Sequence, residues 1–196
     1  MKTISVIFEC CFLFLFVSCV SPINCRKQFT IFMDPISVSS DEYKIHIDGI
    51  FVSVNQRGTF ALYKDGKAKF IDSNFPIGDE FWEYPERKIS FIEKQISLIG
   101  KEGAGHYRIL NDTIIIQSFG LSNDQLCRRS VYETKGIIMN DSTIKVFSDY
   151  SYWFDSELIK EPNIYRLYKT DQKPDSTLAW FNKKRWYKKN LHESRK

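Results

Sequence analysis

Over much of the chain, apolar and polar side chains exchange places every second residue, the pattern of half-buried strands. Tyr43, Ile45 and Ile47 alternate with Lys44, His46 and Asp48. Residues 59–63 and 67–71 flank Asp65-Gly66, a strong hairpin signal because glycine supplies the positive φ the turn requires. Residues 106–110 and 113–118 lie either side of Asn111-Asp112, and residues 132–139 and 143–148 either side of Asn140-Asp141. Residues 163–169 read as a closing strand. The last two hairpins share an apolar, Asn-Asp, Thr-Ile plan, which is repeated turn chemistry, since Asn and Asp accept the left-handed conformation and bond their own backbone. Both turns also match the Asn-x-Ser/Thr acceptor, and the turn accounts for both residues.

Seven to nine short antiparallel strands predict a mainly β domain over residues 41–170, a meander closed into a barrel or folded as a sandwich. Two helices are expected beside it. Residues 89–99 carry apolar side chains at 89, 92, 96 and 99, which suits a short mid-chain helix and also permits a strand. Pro174-Asp175-Ser176 supplies a cap for a C-terminal helix within residues 171–196, although its apolar residues scatter around the wheel. Gly100, Gly103 and Gly105 do not have the order of a phosphate loop and precede a strand, so they read as a flexible lead into the next hairpin.

Several segments together, Asp48-Gly49-Ile50-Phe51, residues 60–66, residues 105–109 and Asn111-Asp112-Thr113-Ile114, resemble the lipocalin-like (calycin-type) lipoproteins of Gram-negative bacteria. The resemblance spans roughly residues 43–186 and rests on hairpin motifs. It implies a closed β-barrel tethered to the cell envelope, at the periplasmic face of the outer membrane or at the cell surface. The Gly-x-Trp signature of true lipocalins is absent near the first strand.

The N-terminus adds an address. Met1-Lys2 gives a positive start, and residues 10–17 form an apolar run of eight, too short for a span of about 20 residues but suited to a signal peptide. Phe16-Val17-Ser18-Cys19 resembles the bacterial lipobox, with Phe16 where Leu is usual and Glu9 an atypical neighbour of the apolar run. The resemblance implies a signal peptide over 1–18, acylation of Cys19 by several chains, which gives stable anchoring, and a tether over 19–40. The alternative is a buried N-terminal helix with a chance Val-Ser-Cys. Of five cysteines, Cys25 and Cys127 then remain in an oxidising compartment. A bridge between them would close a loop of about 100 residues and stabilise by at most roughly 4–5 kcal/mol in the chain-entropy model; two free thiols are the other reading.

Composition excludes more than it selects. With 43% hydrophobic and 27% charged residues in 196, the chain is neither disordered nor polytopic. Aromatics at 15% favour a β-rich core. The net charge of +4 belongs to the end of the chain, where Lys183, Lys184, Arg185, Lys188, Lys189, Arg195 and Lys196 face one Glu193. That tail, with Trp180, Trp186 and Tyr187, reads first as a solvated helix end and second as a contact for anionic lipid; nucleic acid is not expected as a partner.

Catalytic and metal motifs are missing from the sequence. His46, His106 and His192 lie far apart with no second ligand at metal spacing, although His46 and His106 could meet inside a barrel. No Gly-x-Ser-x-Gly occurs, and no cofactor is expected. Two acidic, aromatic stretches are the expected ligand-binding loops: one with Phe75, Phe81, Trp82 and Tyr84, the other with Tyr150, Tyr152 and Trp153. Three functions compete. The first is a non-enzymatic, envelope-anchored binding domain for a small apolar or glycan ligand. The second is a structural or protein-interaction lipoprotein. The third is a glycan hydrolase acting through Asp79, Glu80, Glu83 or Glu86.

Overall fold

A computed structural model describes residues 26–32, 45–54, 58–71, 103–121 and 129–194. Cys19, Cys25, Cys127, Phe75, Phe81, Trp82, Tyr84, the carboxylates at 79–86 and the expected helix over 89–99 lie outside the described residues.

Among the described residues nine strands form one antiparallel sheet: β1 (Gly49–Ser53), β2 (Thr59–Leu62), β3 (Lys67–Ile71), β4 (Ala104–Leu110), β5 (Thr113–Leu121), β6 (Arg129–Asn140), β7 (Thr143–Ser151), β8 (Ser156–Glu157) and β9 (Asn163–Lys169). Strands β1 to β7 pair in sequence order. β9 then pairs with β1 along one edge and with β7 along the other, closing an eight-stranded barrel. The two-residue β8 pairs with the end of β7 that β9 does not reach. Closure disposes of the unpaired edges that an open sheet would expose.

Each hairpin foreseen from Asp65-Gly66, Asn111-Asp112 and Asn140-Asp141 is present. Gly66 turns at φ 73° and Asn111 at φ 56°. Asn140 Oδ1 accepts the Ser142 N–H at 3.0 Å. Two segments differ from the pattern reading. The described part of the alternating run at 43–48 is irregular chain, and β1 starts at Gly49, where Ile50, Phe51 and Val52 are all fully buried. The outward residues Ile50, Ala61 and Lys69 of β1, β2 and β3 are as buried as the inward ones, so this wall is enclosed on both faces and its burial does not alternate. The expected C-terminal helix is three pieces: 3-10 turns at Ser176–Leu178 and Trp180–Lys183, then α1 (Arg185–Glu193). Asp175 caps the first by accepting from Thr177 N–H at 2.7 Å. Extended residues Ala179 and Lys184 break the run. Those breaks bring Ala179, Phe181 and Tyr187 onto one face, which a continuous helix with scattered apolar residues could not do.

An eight-stranded barrel is just wide enough to be filled by its own side chains. Here Phe51, Phe60, Leu62, Ala68, Tyr107, Ile109, Ile114, Ile116, Ile144 and Val146 fill it, with Tyr165 reaching in from β9. Phe60 is the hub, 5.2 Å from Phe51, 5.5 Å from Phe70 and 5.0 Å from Tyr165 between ring centroids. The tight-turn end is tied shut. Lys173 Nζ donates to the carbonyls of Leu62, at 3.0 Å, and Ile47, and Tyr63 donates its hydroxyl to the Pro174 carbonyl. Tyr107 donates to the Tyr63 carbonyl at 3.0 Å. At the opposite end, where the longer connections run, Gly105 lies so close to β5 that a Cβ would sit 1.9 Å from the Gln117 carbonyl oxygen. Close strand approach, not flexibility, is why glycine stands there.

A second core lies outside the barrel. Phe29 from segment 26–32 packs with Phe119, Val131, Ala104, Phe181 and Tyr187, under Trp180 and Trp186. The Thr30 and Ile31 N–H groups both donate to Gln117 Oε1, at 2.7 and 3.1 Å.

Replacing Phe60 by Ala removes the hub of the interior. We expect a loss of about 3–5 kcal/mol in unfolding free energy, read as a lower urea midpoint with unchanged slope.

Candidate functional site

The interior changes character along the barrel axis, and on β7 the change comes from one irregularity. Inward positions of β6 and β7 pair as Ile138 with Ile144 and Gly136 with Val146. Lys135 then pairs with Ser148 instead of Phe147, so Phe147 is the extra residue of a β-bulge. Beyond it the inward set of β7 shifts from even to odd numbers, and Asp149 and Ser151 face the interior opposite Thr134 and Tyr132. Without the bulge Ser148 and Tyr150 would point inward.

Asp149 is therefore a half-buried carboxylate inside the barrel. Thr134 donates its hydroxyl to Asp149 Oδ1 at 2.9 Å. Burial raises the Asp149 pKa above the usual aspartate value; the Thr134 hydrogen bond offsets part of this, and the charge of Glu157 adds to it. Across the seam, Ser53 donates to Asn163 Oδ1 at 2.8 Å. Tyr165 feels the charge of Asp149 and a hydrogen bond from Asn163; burial drives its pKa upward, Asp149 adds to that, and Asn163 opposes it. Ser118, Ser130 and Ser151 are buried on the inward faces of β5, β6 and β7. The Ser130 hydroxyl, on a residue only 2% exposed, has no hydrogen-bond partner among the described residues. A buried hydroxyl left unpaired costs roughly 1–3 kcal/mol, which a ligand offering a hydrogen bond would relieve.

Of the sequence-derived loop residues, Tyr150, Tyr152 and Trp153 fall at this end but outside the wall, and Phe75, Phe81, Trp82 and Tyr84 lie outside the described residues. Tyr150 faces outward and donates to Asp155. Tyr152 packs with the outer aromatic core and donates to Glu133 Oε2 at 3.1 Å. The Tyr150 and Tyr152 rings meet edge-on at 5.2 Å, and Trp153 is exposed in the turn between β7 and β8. The bulge is what separates these tyrosines from the interior, and alternation alone does not reveal it.

His46 and His106 do not meet. His46 is exposed at the tight-turn end, with Nε2 3.4 Å from Asp141 Oδ2. His106 is buried on the outer face of β4, its Nε2 2.6 Å from the Tyr187 hydroxyl and its Nδ1 without a partner among the described residues. Burial lowers its pKa from 6.5 to about 4; Lys67 assists and Asp65 works against it. On the same face Glu133 joins Lys135 Nζ at 2.9 Å and accepts from Gln117 Nε2 at 2.7 Å. Burial acts to raise the Glu133 pKa, and the hydrogen bonds from Lys135, Gln117 and Tyr152 outweigh it and pull the value down. Lys135, Glu133 and Gln117 thus form a polar chain that holds segment 26–32 through its backbone.

Among the described residues no three His, Cys, Asp or Glu side chains gather as metal ligands, and no helix is long and apolar enough to cross a membrane. The fold and its lining define a closed antiparallel eight-stranded barrel, apolar and filled at the tight-turn end and polar at the other. Comparisons with protein-family models, with curated proteins and with solved structures return no match.

Two titrations follow. His106 is neutral in the fold but takes a proton near pH 6.5 when unfolded, so stability is lost as pH falls from about 6.5 to about 4. The loss amounts to about 3 kcal/mol for a shift of this size. In His106→Gln, urea titrations across that range should show a correspondingly shallower decline. Asp149 has the opposite sign: its raised pKa means the charged form destabilises the fold above the carboxylate range. Asp149→Asn should melt higher than the parent at pH 7, with the difference vanishing by pH 3.

Proposed function

We propose that this chain is an envelope-anchored lipoprotein whose barrel is a non-enzymatic binding domain, and that its ligand is a small hydroxyl-rich molecule of the glycan type, taken at the polar end. The observation that carries the reading is the lining of that end: Asp149 with Thr134, Ser53 with Asn163, and the unpartnered Ser130 hydroxyl. The apolar half is filled by its own side chains, several with no exposure, which disfavours the fatty-ligand version. Binding sites in barrels concentrate where a rigid wall meets longer connections. The anchor rests on residues 1–19, whose order of charge, apolar run, Ser18 and Cys19 is that of an acylated export signal.

A second reading, a protein-interaction lipoprotein, is favoured by one observation. Leu110, Ile137, Met139 and Phe147 are exposed on the outer faces of β4, β6 and β7.

Saturation-transfer NMR on the full chain in detergent tests the first reading, with maltotriose, cellotriose and diacetylchitobiose as probes beside decanoate. Transfer to an oligosaccharide that is lost in Ser130→Val and Asp149→Asn is the expected result. Transfer to none of the oligosaccharides, or transfer indifferent to both substitutions, refutes it.

A further inference from the structure

We propose that the basic outer face of α1, with Arg26 and Lys27 beside it, rests on an anionic bilayer surface. Helix α1 presses Tyr187 into the outer core and half-buries Trp186 and Leu191 beside it. Arg185, Lys188, Lys189 and His192 follow at helical spacing along the opposite face and are exposed, as are Lys183 and Lys184 before them. Segment 26–32 brings Arg26 and Lys27 to the same place, with the Arg26 guanidinium 5.5 Å from the centre of the Trp186 ring. Arg129 stands 4.7 Å and Lys184 5.9 Å from the Trp180 ring. Against these cations, Glu193 is the sole acidic side chain in residues 26–32 and 176–194, and it already lies 3.8 Å from Lys189.

One-signed charge gathered on a single face attracts an oppositely charged surface. Two observations select lipid over nucleic acid. Trp180 and Trp186 are half-buried among Phe29, Phe119 and Phe181, so they do not offer the free stacking platforms that single strands require. The described chain begins at Arg26, seven residues after Cys19, a reach of at most about 25 Å. That reach rests on the anchored reading proposed above; the charge distribution does not.

The test uses the full chain reconstituted into phosphatidylcholine vesicles, with and without about 30% phosphatidylglycerol, and amine labelling read lysine by lysine. Labelling of Lys184, Lys188 and Lys189 should fall about threefold or more in the anionic vesicles and recover in about 0.5 M salt. Lys145 and Lys169, on β7 and β9, should label alike in both. The double variant Lys188→Glu, Lys189→Glu should return Lys184 to its phosphatidylcholine level. Equal labelling in the two vesicle types overturns the proposal, as does protection that appears only when an oligonucleotide is added. Intact mass of the same sample reads the acyl chains separately. Protection without acyl mass removes the anchor and keeps the face, whereas acyl mass without protection removes the face alone.

Discussion

Everything in this fold depends on β9 having two partners. Seven residues, Asn163–Lys169, pair with β1 on one edge and with the start of β7 on the other, and this converts a meander into a ring. Once closed, the ring fixes an interior whose volume side chains must fill, and Phe60 with its aromatic neighbours fills the middle of it. The same closure explains why the C-terminal segment does not enter the barrel. It crosses the tight-turn end, where Lys173 and Pro174 tie down the carbonyl of Leu62 and the hydroxyl of Tyr63, and then packs on the outside of β4, β5 and β6.

The bulge at Phe147 is the second constraint, and it sets which residues of β7 the interior receives. One extra residue in β7 changes which side of the strand faces inward. Before it the barrel receives Ile144 and Val146; after it, Asp149 and Ser151. A carboxylate placed there costs stability unless something compensates it, and the Thr134 hydroxyl does so only in part. Polar groups held in a rigid wall at the expense of stability are typical of binding sites. That relation, more than the presence of acidic residues, makes the polar end the place where function is expected.

The hairpins were legible because their information is local. Asp65-Gly66, Asn111-Asp112 and Asn140-Asp141 specify turns through their own backbone chemistry, and beside the last two the strand residues alternate between buried and more exposed positions. β1 was not legible in the same way. Ile50, Phe51 and Val52 form an unbroken apolar run buried on both sides, so the alternating residues before Gly49 carried the stronger strand signal and yet form none over 45–48. The site was half legible. The stretch from residue 149 stood out for its acidic and aromatic residues, but alternation cannot show that a bulge turns Asp149 in and sends Tyr150 and Tyr152 out. His106 drew notice only as a possible partner of His46, and Gln117 carried no signal, because each is buried by a segment distant in sequence, Tyr187 in one case and Thr30 with Ile31 in the other.

The central claim is that Asp149 stands inside the barrel as a desolvated carboxylate. Its most direct test is a carbon-detected NMR titration of the aspartate carboxyls in the full chain, with Asp149→Asn used to assign the resonance. The account predicts that the Asp149 carboxyl loses its proton at higher pH than an ordinary aspartate does. It also predicts that the Thr134 hydroxyl proton is protected from exchange. A midpoint at or below the ordinary aspartate value, with Thr134 exchanging freely, would place Asp149 in solvent and contradict both the bulge register and the polar interior built on it.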